Sequence, residues 1–351
     1  EVFYRMNLLE NLLTEYDKTL DYDGIKGRRL AERLDSLSKI GRTDGGGSYR
    51  LGFSKEEKEA KQLVKTWMLE AGLEVSEDGA GNVFGKLKGK NEHLPSIWSG
   101  SHVDSVPNGG HFDGPLGVLA GLEVIEAWKE TNYIPNRNVE IVIFTDEEGS
   151  RFHSGLMGSR ACIGELDYET QFERIDSEGN TLAQVLEAYG SNKEAFLSAK
   201  RMMDEVDLFV EVHIEQGKQL QNAGVPVGIV TGIAGPYVME VHFKGEAGHA
   251  GNSPMNDRSD ALIAASEFIL KVESLPKTVS STAVATVGKM FVKPNGVNVI
   301  PEQVELFVDI RDIHEEKRDY LVQLVTDAAT EIARKRQIEI KIKEHLRIKP
   351  V

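Results

Sequence analysis

Four short segments of this chain carry side chains suited to holding cations or moving protons. They read Gly100-Ser101-His102-Val103-Asp104, Asn108-Gly109-Gly110-His111-Phe112-Asp113-Gly114-Pro115, Thr145-Asp146-Glu147-Glu148-Gly149 and Glu211-Val212-His213-Ile214-Glu215. Together they supply His102, Asp113, Glu147, Glu148 and His213, a mixed set of imidazoles and carboxylates that suits zinc, manganese, cobalt or nickel. The adjacent glutamates offer one ligand and one proton acceptor, so the chemistry indicated is hydrolysis at a two-metal centre. Each segment has a plainer reading when taken alone. Aspartate before glycine is an ordinary turn, acids at 146–148 suit a helix N-terminus, and His213 can be a satisfied histidine at a strand end. Three acids directly after an apolar strand exceed what a helix start explains.

The segments need elements to bring them together. Residues 97–101, 139–145 and 208–212 are short apolar runs that read as buried strands of a parallel or mixed sheet. Residues 116–129 form an apolar helix between the first two, a β-α-β pattern. His102, Glu147, Glu148 and His213 then fall just beyond the carboxyl ends of strands, where open α/β sheets build their sites. Upstream, 27–39 reads as an amphipathic helix. A second helix starts at Ser54 with Glu57 in a capping box and stops at Gly72, and 82–87 alternates as a strand. After residue 230 the order becomes β-α-β-β-α-β, over 237–245, 259–272, 282–291, 304–310, 315–335 and 338–342. That order is a ferredoxin-like split βαβ unit. The fold class is therefore α/β, a mixed-sheet catalytic domain with an inserted α+β domain. The expected boundaries are 1–229 with 345–351 for the first and 230–344 for the second.

Composition narrows the function classes. The 351 residues carry a net charge of −15, which argues against nucleic acid, whose phosphates are bound by lysine and arginine. No apolar run approaches the roughly 20 residues that span a bilayer, and no signal peptide is visible. The one cysteine, Cys162, forbids an internal disulfide and favours a reducing, cytoplasmic compartment. It reads as a buried inert thiol in a helical turn. Met6 is expected to be the natural start, with residues 1–5 left from cloning.

The chain resembles the M20 metallopeptidase-type amidohydrolases, in the N-carbamoyl-L-amino acid hydrolase and allantoate deiminase branch, from about Arg29 to Val351. The most specific stretches are 100–121, Phe144-Thr145-Asp146-Glu147-Glu148-Gly149-Ser150-Arg151-Phe152 and His213-Ile214-Glu215-Gln216-Gly217. The resemblance implies that His102 and His213 hold one divalent metal, Asp113 bridges two, Glu148 holds the second, and Glu147 is the general base. Asp104 would orient a ligand imidazole from behind. The second domain would be a lid that makes a homodimer, with His249 reaching the partner subunit's site. Asn298 and Arg311 would bind the substrate carboxylate, with Gln216 near His213 as a further substrate contact. A last metal-ligand histidine is expected from a Gly-rich segment beyond Val351; His314 and His345 match no such motif and read as surface residues.

The activity implied is hydrolysis of the ureido C–N bond of N-carbamoyl-L-amino acids to the L-amino acid, CO2 and NH3. Rivals are allantoate deiminase on the same scaffold, more distantly a peptidase or aminoacylase, and a catalytically silent dimerisation or ligand-binding fragment. Local rivals remain for single residues. His249 among glycines can be a loop residue, Asn298 can cap a turn, and Arg311 sits between Asp309 and Asp312, where an ion pair competes. His93, His153 and His242 have no assigned role.

Overall fold

A computed structural model of the chain describes residues 8–351, so the run ahead of Met6 lies outside the described residues. Two compact units divide it, the first ending at Gln219 and the second spanning Leu220–Val351.

The first unit is built on a five-stranded sheet of β1 (Glu74–Glu77), β2 (Val83–Leu87), β3 (Ser96–His102), β4 (Val139–Phe144) and β5 (Val206–Val210), in the order β1-β2-β4-β3-β5. β3 runs parallel to β4 and β5, while β2 and β1 are antiparallel, so the sheet is mixed as expected. Register places His102 opposite Phe144, so the two central strands end level. The helix Pro115–Thr131 returns the chain from β3 towards β4 and buries Val118, Leu119, Leu122 and Ile125 against Ile141 and Ile143. Its proline at the first turn has no N–H to leave unsatisfied. Arg29 and Arg33 of the helix Gly27–Ser38 reach Glu123 and Glu126 of that crossover helix, each at 2.7 Å.

Two local expectations change. Ser54 caps the helix Lys55–Glu70 by accepting from Glu57 N, but the Glu57 carboxylate accepts from Phe53 N at 2.6 Å, so the reciprocal half of the box is displaced by one residue. β5 is not a buried strand. Among the described residues it is the last strand in the order, with β3 as its sheet neighbour, and Leu208, Phe209 and Val210 are 40–51% exposed. Its apolar run reads identically to a buried one because periodicity does not report sheet position.

The second unit is a ferredoxin-like sandwich. β6 (Gly235–Lys244), β7 (Gly248–His249), β8 (Val284–Lys293), β9 (Val299–Ile300), β10 (Gln303–Asp312) and β11 (Glu339–Arg347) make a four-stranded antiparallel sheet, β11-β6-β10-β8, and a short β7-β9 ladder. β6 and β10 alternate buried and open positions along their lengths. Met239, Val241, Phe243, Leu306, Val308 and Ile310 face the helices Ala261–Ser274 and Glu315–Arg336, meeting Phe268, Leu321 and Val325. The opposite face carries Glu240, His242 and Glu305. β11 continues past the expected boundary, and Ile348 and Val351 hydrogen-bond with Pro236 and Ile233. Residues 345–351, expected with the first domain, thus lie with the second unit.

Candidate metal centre

His102 is the last residue of β3 and 2% exposed. Its Nδ1 lies 3.1 Å from the Asp104 carbonyl and 3.4 Å from Asp104 Oδ1. Its Nε2 points the other way, 3.6 Å from Glu147 Oε2 and 4.0 Å from Asp113 Oδ1. Asp113 and the tight turn behind it are admitted by Gly114, at φ +80°, where a Cβ would meet the His102 ring at 2.6 Å. His213 lies three residues past β5 in irregular chain, 42% exposed, with Nδ1 2.7 Å from the Ile214 carbonyl and Nε2 3.3 Å from Asp113 Oδ1. Both rings thus have their Nδ1 against an oxygen that accepts a proton and their Nε2 aimed at the same carboxylate. Metal-ligating histidines are held in this way, the remote nitrogen donating to an oxygen so that the lone pair faces the ion.

Asp104 fixes the acidic loop as well. Its Oδ1 and Oδ2 accept from the backbone N–H groups of Glu147 and Glu148 at 3.2 and 3.1 Å. One buried carboxylate therefore braces the imidazole and the paired glutamates at once. No helix begins at these glutamates; the next starts at Met157, so the helix-start explanation for the acids falls away. Burial pushes the Glu147 and Glu148 carboxyls above the ordinary glutamate range. Burial works against a charged His102 ring, but Asp104, Glu147 and Glu148 outweigh it and push its pKa up to about 9. A positive charge is what this pocket of acids lacks. Ligand atoms around a tetrahedral zinc lie roughly 3.4 Å apart, given bonds of about 2.0–2.2 Å. The 3.3 Å between His213 Nε2 and Asp113 Oδ1 meets that spacing, and the donor set of imidazoles and carboxylates fits a divalent cation.

Gln216, expected near the substrate, donates from Nε2 to Asp113 Oδ2 at 2.5 Å, so in this structure it braces the bridging candidate. Three other expected residues lie on the second unit. His249, exposed, accepts at Nδ1 from Gly251 N at 3.1 Å, which leaves Nε2 as the N–H donor of the neutral ring. Asn298 sits beside it, its carbonyl accepting from Ala250 N at 3.0 Å. Arg311 places Nε and Nη2 on the two oxygens of Asp309, each at 2.8 Å, so the local ion pair anticipated as a rival is present. His314 and His345 are exposed, as expected. His111 ties two loops, with Ser48 Oγ at 2.8 Å and the Gly46 carbonyl at 2.9 Å. Cys162 is buried, its thiol raised by burial to about 11, an inert group.

Sequence reading missed the polar support behind the loop. Lys61, 2% exposed by side chain, pairs with buried Glu57 at 2.7 Å and donates to Thr145 Oγ1 at 2.8 Å. Arg50 donates to the Val103 carbonyl at 2.8 Å, holding the turn after His102. Asp146 is fully buried at φ +50°, both carboxylate oxygens without a hydrogen-bond partner among the described residues, and burial pushes its carboxyl well up. Glu57 and Lys61 look like a solvated i,i+4 pair in sequence, and no spacing distinguishes them.

Comparison with known proteins matches residues 98–345 to the peptidase family M20/M25/M40. An N-carbamoyl-L-amino acid amidohydrolase of Geobacillus stearothermophilus is 44% identical over 327 residues, 93% of this chain and 80% of that protein. An allantoate amidohydrolase of Bacillus subtilis is 37% identical over 92% of this chain and 78% of its own length. A crystal structure of a hydantoinase/carbamoylase family amidase from Burkholderia ambifaria superposes with a TM-score of 0.85 at 33% identity, covering 94% of this chain and 80% of that one. With the family match spanning most of the sequence and relatives this similar along nearly all of it, the chain belongs to the peptidase family M20/M25/M40.

Proposed function

We propose that this chain hydrolyses the ureido C–N bond of N-carbamoyl-L-amino acids, releasing the L-amino acid, CO2 and NH3. Two divalent cations, of the zinc, manganese, cobalt or nickel class, would be held by His102, His213, Asp113 and Glu148. The observation that carries the reading is the shared aim of the His102 and His213 Nε2 atoms at Asp113, with each Nδ1 already engaged. The amidohydrolase relatives supply the substrate class.

A ureido carbonyl is a poor electrophile because two nitrogens donate into it. The bound cations supply Lewis acidity and lower the pKa of water from roughly 15.7 to about 7. Glu147 takes the proton from the attacking water and passes it to the departing nitrogen. Its raised carboxyl pKa is the direction a base working near neutral pH needs. Asp104 keeps the Nε2 of His102 directed inward and holds Glu147 and Glu148 by their N–H groups. Gln216 steadies Asp113 and lies beside incoming substrate.

The second unit serves as a lid and dimerisation domain. His249, acting across a homodimer, donates from Nε2 to the developing oxyanion; removing it should cost about 10²–10³ in turnover. Asn298 and Arg311 select the free α-carboxylate, Arg311 exchanging part of its hold on Asp309 for the substrate. A buried lone cysteine suits a reducing cytoplasm, and no helix among the described residues is long and apolar enough to cross a membrane.

The similarity to an allantoate amidohydrolase supports one second reading, since allantoate also carries ureido groups and a carboxylate. Side-by-side turnover of an N-carbamoyl-L-amino acid, allantoate and an N-acetyl amino acid by the metal-loaded protein tests the proposal. Preference for the first supports it; preference for either other substrate replaces it, and no turnover with cations bound favours a silent binding protein.

A further inference from the structure

β6 and β10, the two inner strands of the second unit's sheet, set three donor residues on one open face. Glu240 and His242 are two apart on β6 and so point the same way. Glu305 is the direct partner of His242 across the antiparallel pair. His242 Nε2 lies 2.6 Å from Glu240 Oε1 and its Nδ1 4.0 Å from Glu305 Oε2. One ligand atom from each of the three lies within 4.8 Å of the other two.

We propose that Glu240, His242 and Glu305 form a divalent-cation site for a borderline ion of the zinc, cobalt or nickel class. It uses none of the donors assigned to hydrolysis. One imidazole and two carboxylates are a three-ligand set of the kind that leaves further positions to water. The adjoining cavity of about 290 Å³, lined by His242 and Glu305 with Lys244, Phe291 and Lys341, has room for such waters. The scaffold is stiff. β6 and β10 are each paired on both sides, and Val241, Val304 and Leu306 beneath them are 0–1% exposed. Donors on such strands hold their spacing better than donors on loops.

The plain alternative is a surface ion pair between a protonated ring and its acids, which is worth little. Charge weighs against that alternative. Two carboxylates on one imidazole leave a net negative site even when the ring is protonated. Lys343 Nζ on β11 stops 4.0 Å from Glu240 Oε2, and Lys244, Lys293 and Lys341 line the adjoining cavity. A doubly charged ion compensates the pair of acids more fully than a proton does. His345 of β11 also acts on Glu240, and a hydrogen bond from His242 holds that carboxyl below its usual range.

The test uses the full chain carrying His102→Ala, Asp113→Ala, Glu148→Ala and His213→Ala, which removes all four donors assigned to the first unit. After chelation and dialysis, Zn²⁺ is titrated by calorimetry and bound metal is counted by mass spectrometry. One equivalent is expected, lost on adding His242→Ala. Adding Glu305→Gln, which preserves shape, should weaken it at least as much as loss of a supporting partner does, about 10–100-fold. Mg²⁺ should not compete, since it demands oxygen-rich octahedral sites. Absence of that equivalent, or its survival in both added variants, overturns the proposal. Circular dichroism checks folding. If the quadruple alanine background is unfolded, Glu305→Gln in the otherwise unchanged chain decides, by whether bound zinc falls by one.

Discussion

The molecule holds two histidine–carboxylate clusters that differ in how they are supported. In the first unit, His102 is buried at a strand end, and Asp104 directs its ring while gripping two backbone N–H groups of the acidic loop. In the second, His242 stands half-open on a sheet face, both ring nitrogens turned to carboxylates and no buried group choosing between them. The first arrangement fixes the direction of the His102 Nε2 atom before any ion arrives. The second fixes only the positions of its donors. Catalysis needs directed groups, because misplacement by about 1 Å is costly; simple ion binding needs only convergent ones.

The largest break in this contrast comes from Glu147→Gln. It should lower turnover by up to about 10⁴ while leaving bound metal unchanged, read by steady-state assay beside metal analysis. Equal loss of metal would make Glu147 a ligand instead. Next is the pH response of the chelated, metal-free protein. The His102 pKa is raised to about 9, above its unfolded value of 6.5. Its contribution is therefore fully present below pH 6.5 and lost as pH rises towards 9. The raised Glu147 and Glu148 carboxyls act in the same sense from lower pH, since a folded state that holds protons more tightly is favoured by acid. Melting in chelator should show a weaker fold at pH 9.5 than at 6, by on the order of 10² in the folding equilibrium from His102 alone. Bound metal, which excludes that proton, should flatten the slope.

Asp104→Asn sharpens the comparison further. It keeps the shape but removes the charge behind the ring, and should cost about 10–100-fold in metal affinity or activity, measured by competition with a chromogenic chelator. If it has no effect, the two clusters are not differently organised after all. The smallest effect is on the sheet face. Lys343→Met removes an exposed ammonium 4.0 Å from Glu240 and should tighten zinc there by no more than about fivefold, read by calorimetry.

Much of this was legible in the residues. The ferredoxin-like order of the second unit follows from the alternation along 237–245 and from the succession of strand and helix runs after it, the long helix at 315–335 among them. The motif around His102 and the acids at 146–148 fell at strand ends as read, because a short apolar run bounded by polar turns is a local signal. What failed was whatever depended on neighbours. The apolar run of β5 does not report the exposure it has among the described residues, and no spacing shows that the fold seals Glu57 and Lys61 beneath Thr145. Nor does the spacing of Gln216 show that its amide rests on Asp113, 103 residues away.

Sequence alone determined the donor types, their order and the elements that carry them, since helical and strand periods are written in nearest neighbours. Tertiary structure alone decided which nitrogen of each ring faces the acids and which acid holds Arg311 back. It also decided that His242 meets Glu305 across two strands. Those outcomes depend on ångström-scale approaches between distant segments, set by sheet register and core packing, and no local pattern encodes them.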